Sequence, residues 1–319
     1  MAAKRYISFL LTVAIMVLIT GCSTADNGTD KSESNKIDTK EQDDNLTKDV
    51  DNKVQNISDT QSQDISSSAN VSVSDKSADE TAIDTIKPEI SGELSIKADF
   101  NDAVKEEDYK YILTKGGEYH IRGTCTNRMI YVDAKDQELE IDLEGVNMMS
   151  ERGALIFVEN ADKVTISASE GTNNELTDCR PARTNKNEDS DNGNAAIYSK
   201  DDLKFKGRGR LTVTSSYNNA IGCKNDIKIK NLTLSVNAEN NGIKGNDSVT
   251  IESGNITINA VKGNGIKTEN KHVSDKGNQK GYITISGGIV DITSDDEPFD
   301  AAYDLYIDSA NATVTTNKR

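Results

Sequence analysis

The feature that most narrows what this chain can fold into is a repeat. Asn219-Ala220-Ile221 and Asn241-Gly242-Ile243 open segments built on one template: a short stretch ending in Ile, a charged turn, then apolar residues in alternation at Ile227/Ile229 and Val249/Ile251. The template recurs at Ala196-Ile197 ahead of Leu203 and Phe205, and at Asn264-Gly265-Ile266 ahead of Ile283 and Ile285. Ile197, Ile221, Ile243 and Ile266 follow one another at intervals of 24, 22 and 23 residues. A unit so short cannot bury an apolar face alone, so its copies must stack into a solenoid.

Alternation with period two makes each unit a set of strands with one face buried. After the anchors Ile227 and Val249, a second apolar pair follows at offsets 7 and 9 (Leu234/Val236 and Ile256/Ile258), and the same offsets return after Ile283 and Leu305. Three short strands per turn of about 22 residues describe an all-β chain, a right-handed parallel β-helix whose coils pair about 4.8 Å apart. The anchors Leu139, Val164, Leu203, Ile227, Val249, Ile283 and Leu305 give about seven coils over 91–319. Two intervals are too long, which predicts loops inserted near 178–194 and 268–280, both rich in Gly, Asn, Lys and Asp and therefore expected at the surface.

Ahead of the repeats, residues 1–21 read as a secretion signal. Lys4-Arg5 precedes an apolar run from Phe9 to Ile19, which is shorter than the roughly 20 residues that span a bilayer. The segment Leu18-Ile19-Thr20-Gly21-Cys22 resembles the lipobox of bacterial lipoproteins. That resemblance implies cleavage before Cys22, lipidation of its sulfur, and placement at the extracellular face of the plasma membrane through the lipid anchor alone. From Cys22 to residue 90 the chain is Ser-, Asp-, Asn-, Thr- and Lys-rich, with 16 acidic and 7 basic residues between 23 and 89. Such a segment cannot bury enough surface to offset its ordering entropy and is expected to be a disordered, self-repelling stalk.

Charge and composition remove several function classes. A net charge of −16 repels phosphate backbones, so nucleic acid is excluded as a partner. The two histidines, His120 and His272, show no zinc-motif spacing. Three cysteines, Cys125, Cys179 and Cys223, remain beside Cys22; an odd number cannot complete a disulfide framework, although Cys125 and Cys179 could pair.

Several segments in order carry a wider resemblance: Gly117-Glu118-Tyr119-His120-Ile121-Arg122-Gly123-Thr124, Leu143-Glu144-Gly145-Val146-Asn147, Asn160-Ala161-Asp162-Lys163-Val164-Thr165-Ile166, Ser199-Lys200-Asp201-Asp202-Leu203 and the Asn-Gly-Ile repeats. Together they resemble a Gram-positive surface family of carbohydrate-binding β-helix domains over about residues 91–319. The resemblance implies a fold like that of pectate lyases, calcium, and binding of cellulose or acidic polysaccharide without catalysis.

Candidate residues follow from the register. Asn219, Asn241 and Asn264 should stack on successive coils; stacked amides can bond donor to acceptor as a structural ladder, or offer oxygens to a ligand. The family often has Asp where this chain has Asn, and Asn removes both the like-charge repulsion and the strongest attraction for an ion. The acidic turn Asp295, Asp296, Glu297 and Asp300 offers hard oxygens suited to Ca²⁺, or is a solvated turn. Lys244 and Lys267 follow the inward Ile of successive repeats and should face out, where they could hold uronate carboxylates. As a catalytic base either would need a depressed pKa, which Glu269 and Asp247 nearby give no reason to expect. The reading is therefore non-catalytic binding of an acidic or cellulosic polysaccharide at the cell surface with calcium assistance. A structural or adhesive solenoid with a protein or cell-wall ligand is the second reading, and a polysaccharide lyase the third.

Overall fold

Period-two alternation is visible directly in the burial pattern: Ile221, Ile227, Ile229, Leu234, Val236, Ile243, Val249, Ile251, Ile256, Ile258 and Ile266 are each at most 1% exposed. They line one continuous interior. Each such side chain contributes about 1.5–3 kcal/mol on burial, which is what holds strands of two to seven residues in place. The computed structural model describes residues 88–184 and 192–317. The expectations for residues 1–21, for Cys22 and for the stalk up to residue 87 lie outside the described residues, as does the middle of the first inserted loop.

The described residues are all β, with no helix among them. Parallel strands stack in three faces that recur in chain order. The asparagine face holds Met129–Asp133, Ile156–Asn160, Ala195–Ser199, Asn219–Cys223, Ile243–Gly245, Ile266–Lys267 and Phe299–Asp300. The anchor face holds Lys163–Ala168, Asp202–Gly207, Asp226–Lys230, Ser248–Ile251, Tyr282–Ile285 and Asp304–Ile307. The closing face holds Asn173–Asp178, Arg210–Ser215, Leu232–Ala238, Gly254–Ala260, Ile289–Ser294 and Asn311–Thr316. The anchors stack without slippage, Leu139 on Val164, Leu203, Ile227, Val249, Ile283 and Leu305 in turn. This solenoid of parallel sheets is what the repeat requires.

At the N-terminal end the anchor and closing faces merge. Gly117–Thr126 and Glu138–Ser150 run through both as long strands. Glu138–Ser150 turns the corner at Gly145, whose φ of 92° suits glycine. Asn174 secures that corner: its Oδ1 accepts from the Gly145 and Val146 amides at 2.8 and 2.9 Å, while its Nδ2 donates to Thr172 Oγ1 and the Arg210 carbonyl. Two antiparallel strands cover this end, Ser91–Ala98 against Gly117–Thr126 and Val104–Glu107 against Lys110–Leu113. They occupy backbone edges that would otherwise invite further strands. In the last described coil the inward residues Leu305, Ile307 and Val314 are 36%, 41% and 48% exposed.

The two insertions fall where the intervals predict, between Asp178 and Ala195 and between Lys267 and Tyr282. Neither is wholly superficial. Asp178 is fully buried and Arg180 nearly so, and Thr268 is 2% exposed. Their roots need internal partners that the loop composition did not announce.

Candidate functional site

Outward side chains form columns across the coils. On the anchor face, the residue just before each anchor gives the series Lys163, Asp202, Asp226, Ser248, Tyr282 and Asp304. The second insertion lies beside the middle of this column and walls a cleft of about 570 Å³, with Asp202, Asp226, Asp247, Asn278, Lys280 and Tyr282 among its lining. Tyr282 packs edge-on against Tyr303 at 5.1 Å between ring centroids and tilted against Tyr306 at 5.5 Å. Tyr303 and Tyr306 are both more than half exposed. The cleft therefore sets the Tyr282 ring, with two further rings packed against it, next to carboxylates and amides.

Electrostatically the cleft is acidic. Asp226 accepts from Ser248 Oγ at 2.6 Å, and its amide donates to Asp202 Oδ1 at 3.3 Å. Burial, followed by the repulsion of Asp226, Asp162 and Asp201, pushes the Asp202 carboxyl above the usual range. Lys280 is ion-paired with Asp247, and that hydrogen bond raises its pKa. Asp247 also accepts from Asn270 Nδ2 at 2.7 Å and Asn246 Nδ2 at 3.1 Å, so one nearly buried carboxylate roots both ends of the insertion. Gly281 closes the loop with φ 93°, where a Cβ would meet the Asn270 carbonyl at 2.7 Å and Tyr303 Cβ at 2.9 Å.

The outward column of the asparagine face runs Tyr131, Phe157, Tyr198, Gly222, Lys244, Lys267 and Asp300. Its first part is an aromatic stack, Tyr131 on Phe157 at 5.4 Å and Phe157 on Tyr198 at 5.3 Å. With Met129, Ala154 and Ala195 these rings form a second apolar cluster outside the main core. Gly193, in the first insertion, rests on it: a Cβ there would lie 3.0 Å from Tyr198 Cβ and 3.2 Å from Phe157 Cδ2.

Lys244 and Lys267 are neighbours in register on this outer face, but each has a carboxylate partner. Lys244 pairs with Glu269 at 2.9 Å and Lys267 with Asp300. Lys244 also lines a smaller pocket of about 430 Å³ that opens where Gly222 follows Tyr198, together with Lys200 and Lys224.

Asn219, Asn241 and Asn264 stack beneath that column, 2%, 7% and 5% exposed. Asn241 Nδ2 donates to Asn219 Oδ1 at 2.8 Å, and Asn264 Nδ2 to Asn241 Oδ1 at 3.3 Å. Asn264 then reaches the acidic turn, accepting from the Glu297 amide at 3.0 Å and donating to Asp300 Oδ2 at 3.3 Å. Asp300 is thus tied to Asn264 and Lys267. Among the described residues, the three ligand groups that converge within 4.8 Å are Glu118, His120 and Asp142, not members of this turn.

Cys125, Cys179 and Cys223 are all free, so the pairing considered for Cys125 and Cys179 is not made. Burial pushes the Cys125 thiol up to about 11 and that of Cys223 up to about 12, which leaves both as unreactive thiols. Tyr198 is mostly buried in the aromatic stack and keeps an edge on the lysine-lined pocket, and Tyr217 covers the Arg180 guanidinium at 3.9 Å. Tyr282 lines the cleft, and Tyr303 and Tyr306 pack against it. Asp202, Asp226 and Tyr282 were missed as a site, although each stands one residue before an anchor and is locatable by that offset.

A family model described as carbohydrate-binding domain-containing protein matches residues 107–319. A carbohydrate-binding domain-containing protein of Acetivibrio thermocellus is 39% identical over 223 residues, covering 69% of this chain and 75% of that protein. A solved structure, described as the polysaccharide lyase-like protein from C. thermocellum in a gadolinium derivative, superposes with a TM-score of 0.62 at 38% identity, covering 69% of this chain and 87% of that one.

Proposed function

The chain belongs to the family of carbohydrate-binding domain-containing proteins, and from that membership we propose that the cleft beside the second insertion holds a polysaccharide without cleaving it. The observation that carries this reading is Tyr282, backed by the exposed rings of Tyr303 and Tyr306, lining the cleft beside Asp202, Asp226 and Asn278. Sugar rings present C–H faces that pack on aromatic rings and hydroxyls that bond to carboxylates and amides. The lining favours a neutral, cellulosic glycan, because Asp202, Asp226, Asp247 and Asp275 repel uronates. An acidic glycan would meet the lysine-lined pocket at Gly222, or enter the cleft with calcium as a bridge; the turn at Asp295, Asp296 and Glu297 is the other place where calcium could assist.

Lyase chemistry needs a base that is neutral at working pH, and the cleft's Lys280 is moved the wrong way by Asp247. The lipid anchor at Cys22 and display at the extracellular face complete the reading: the stalk presents the solenoid to glycans outside the cell. A glycan array probed with the full chain, first with calcium and then with EDTA, tests it. Retention of neutral glucans in both conditions, with acidic glycans lost in EDTA, is expected. Binding to no glycan, or release of unsaturated sugars detected by ultraviolet absorbance, would overturn it.

A further inference from the structure

Away from the cleft, at the N-terminal end of the anchor face, His120 and Asp142 are partners in register on adjacent strands, and Glu118 lies two residues before His120 on the same outer side. One ligand atom from each of Glu118, His120 and Asp142 falls within 4.8 Å of the others. His120 Nδ1 lies 2.9 Å from Glu144 Oε1, and Glu144 is itself held by Arg122. An imidazole that donates Nδ1–H to a carboxylate leaves Nε2 with its lone pair, the arrangement that orients metal-bound histidines. Nε2 is on the Glu118 side, 3.8 Å from Oε1, while Asp142 Oδ2 lies 3.5 Å from Nδ1 and must swing toward Nε2 to share an ion with it. Asp142 is oriented as well: Ser167 Oγ donates to Oδ1 at 2.9 Å and Ser169 Oγ to Oδ2 at 2.7 Å. Asp142 and the ring are thus positioned from outside the set, and the surroundings carry three carboxylates, Glu118, Asp142 and Glu144, against Arg122 and Lys97, the register partner of His120 on the covering strand.

We propose that Glu118, His120 and Asp142 form a binding site for a divalent first-row transition ion, of which Zn²⁺ is the probe, bridging the first long strands of the solenoid. The imidazole nitrogen separates this class from calcium, which takes oxygen ligands in larger number. Ligands at about 2.0–2.2 Å from Zn²⁺ require the three atoms to draw in by roughly 1 Å, a side-chain adjustment on an exposed sheet surface.

Calorimetry and thermal unfolding of the full chain with Zn²⁺, Ca²⁺ and Mg²⁺ test the site. One Zn²⁺ per chain is expected, with an unfolding temperature that climbs with ion concentration, since the ion favours the folded state. His120→Gln and, separately, the exposed Glu118→Gln should each weaken uptake about tenfold or more. His272→Gln and Cys179→Ser should leave it unchanged, which separates this site from other donors. If His120→Gln unfolds, Glu118→Gln still reads the site. No stoichiometric Zn²⁺ uptake, uptake undiminished in both variants, or Ca²⁺ bound as tightly as Zn²⁺ would overturn the proposal.

Discussion

The two insertions interrupt the same solenoid with opposite results. The first leaves at a buried bidentate pair, Arg180 Nε and Nη2 on Asp178 at 2.9 and 2.7 Å, with Arg180 Nη1 donating to the Gly193 carbonyl at 2.8 Å. It returns with Gly193 seated on Phe157 and Tyr198, so most of this aromatic stack is covered and only an edge of Tyr198 reaches the lysine-lined pocket. The second leaves beside Lys267 and is rooted by Asp247, and Tyr282 sits at the rim of a cleft with its neighbours exposed. An insertion on a repeat thus either seals an outer column or builds a wall beside it, and the side chains at its root decide which.

If that contrast is right, the largest effect comes from the first root. Asp178→Ala leaves Arg180 buried without its partner and should cost about 3–5 kcal/mol in urea unfolding. A loss below about 1 kcal/mol would break the comparison. Asp247→Ala frees Asn270 and Lys280 together; a stability loss of about 1–3 kcal/mol is expected, accompanied by weaker glycan binding because the cleft wall is released. Weaker stability with unchanged binding would detach the wall from function.

Smaller effects sharpen the electrostatics. Asp202 has its pKa raised on folding, chiefly by burial, so its ionisation opposes the fold. The sign is that protonated Asp202 is favoured in the folded state; its benefit is present below the unfolded value of 3.8 and disappears as pH rises through the raised value. Asp202→Asn should accordingly raise the unfolding temperature at pH 7 and lose that advantage below about pH 3.8 in a pH series of thermal scans. Smallest of all is Lys267→Ala, a part-exposed pair with Asp300, expected to change stability by about 0.2–1 kcal/mol and neutral glycan binding not at all.

The core was legible because two periods coincide in it, alternation within strands and about 22 residues between coils. Ile227, Val249 and Ile283 announce one another; Asn174, a polar residue in a column otherwise filled by Leu211, Leu234 and Ile256, does not, because its role depends on the corner at Gly145. The antiparallel cover at Ser91–Ala98 and Val104–Glu107 was equally silent, since capping strands do not share the repeat they end. Outward columns carry no hydrophobic signal. Lys244 and Lys267 stood out as like charges in series, yet Glu269 and Asp300 arrive from a loop and a later coil to pair with them. The cleft draws Asp202, Asp226 and Tyr282 from separate coils and Asn278 from an insertion, and only the register assembles them.

We propose that neutral polysaccharide binds in the cleft lined by Tyr282 and not along the lysine column. Titration calorimetry of the full chain with a soluble cello-oligosaccharide tests it most directly, comparing the wild type with Tyr282→Ala and with the Lys244→Ala/Lys267→Ala double variant. The expected result is an affinity lowered about tenfold or more in Tyr282→Ala, about 1.4 kcal/mol, and unchanged in the lysine variant. Undiminished binding in Tyr282→Ala with loss in the lysine variant would contradict it.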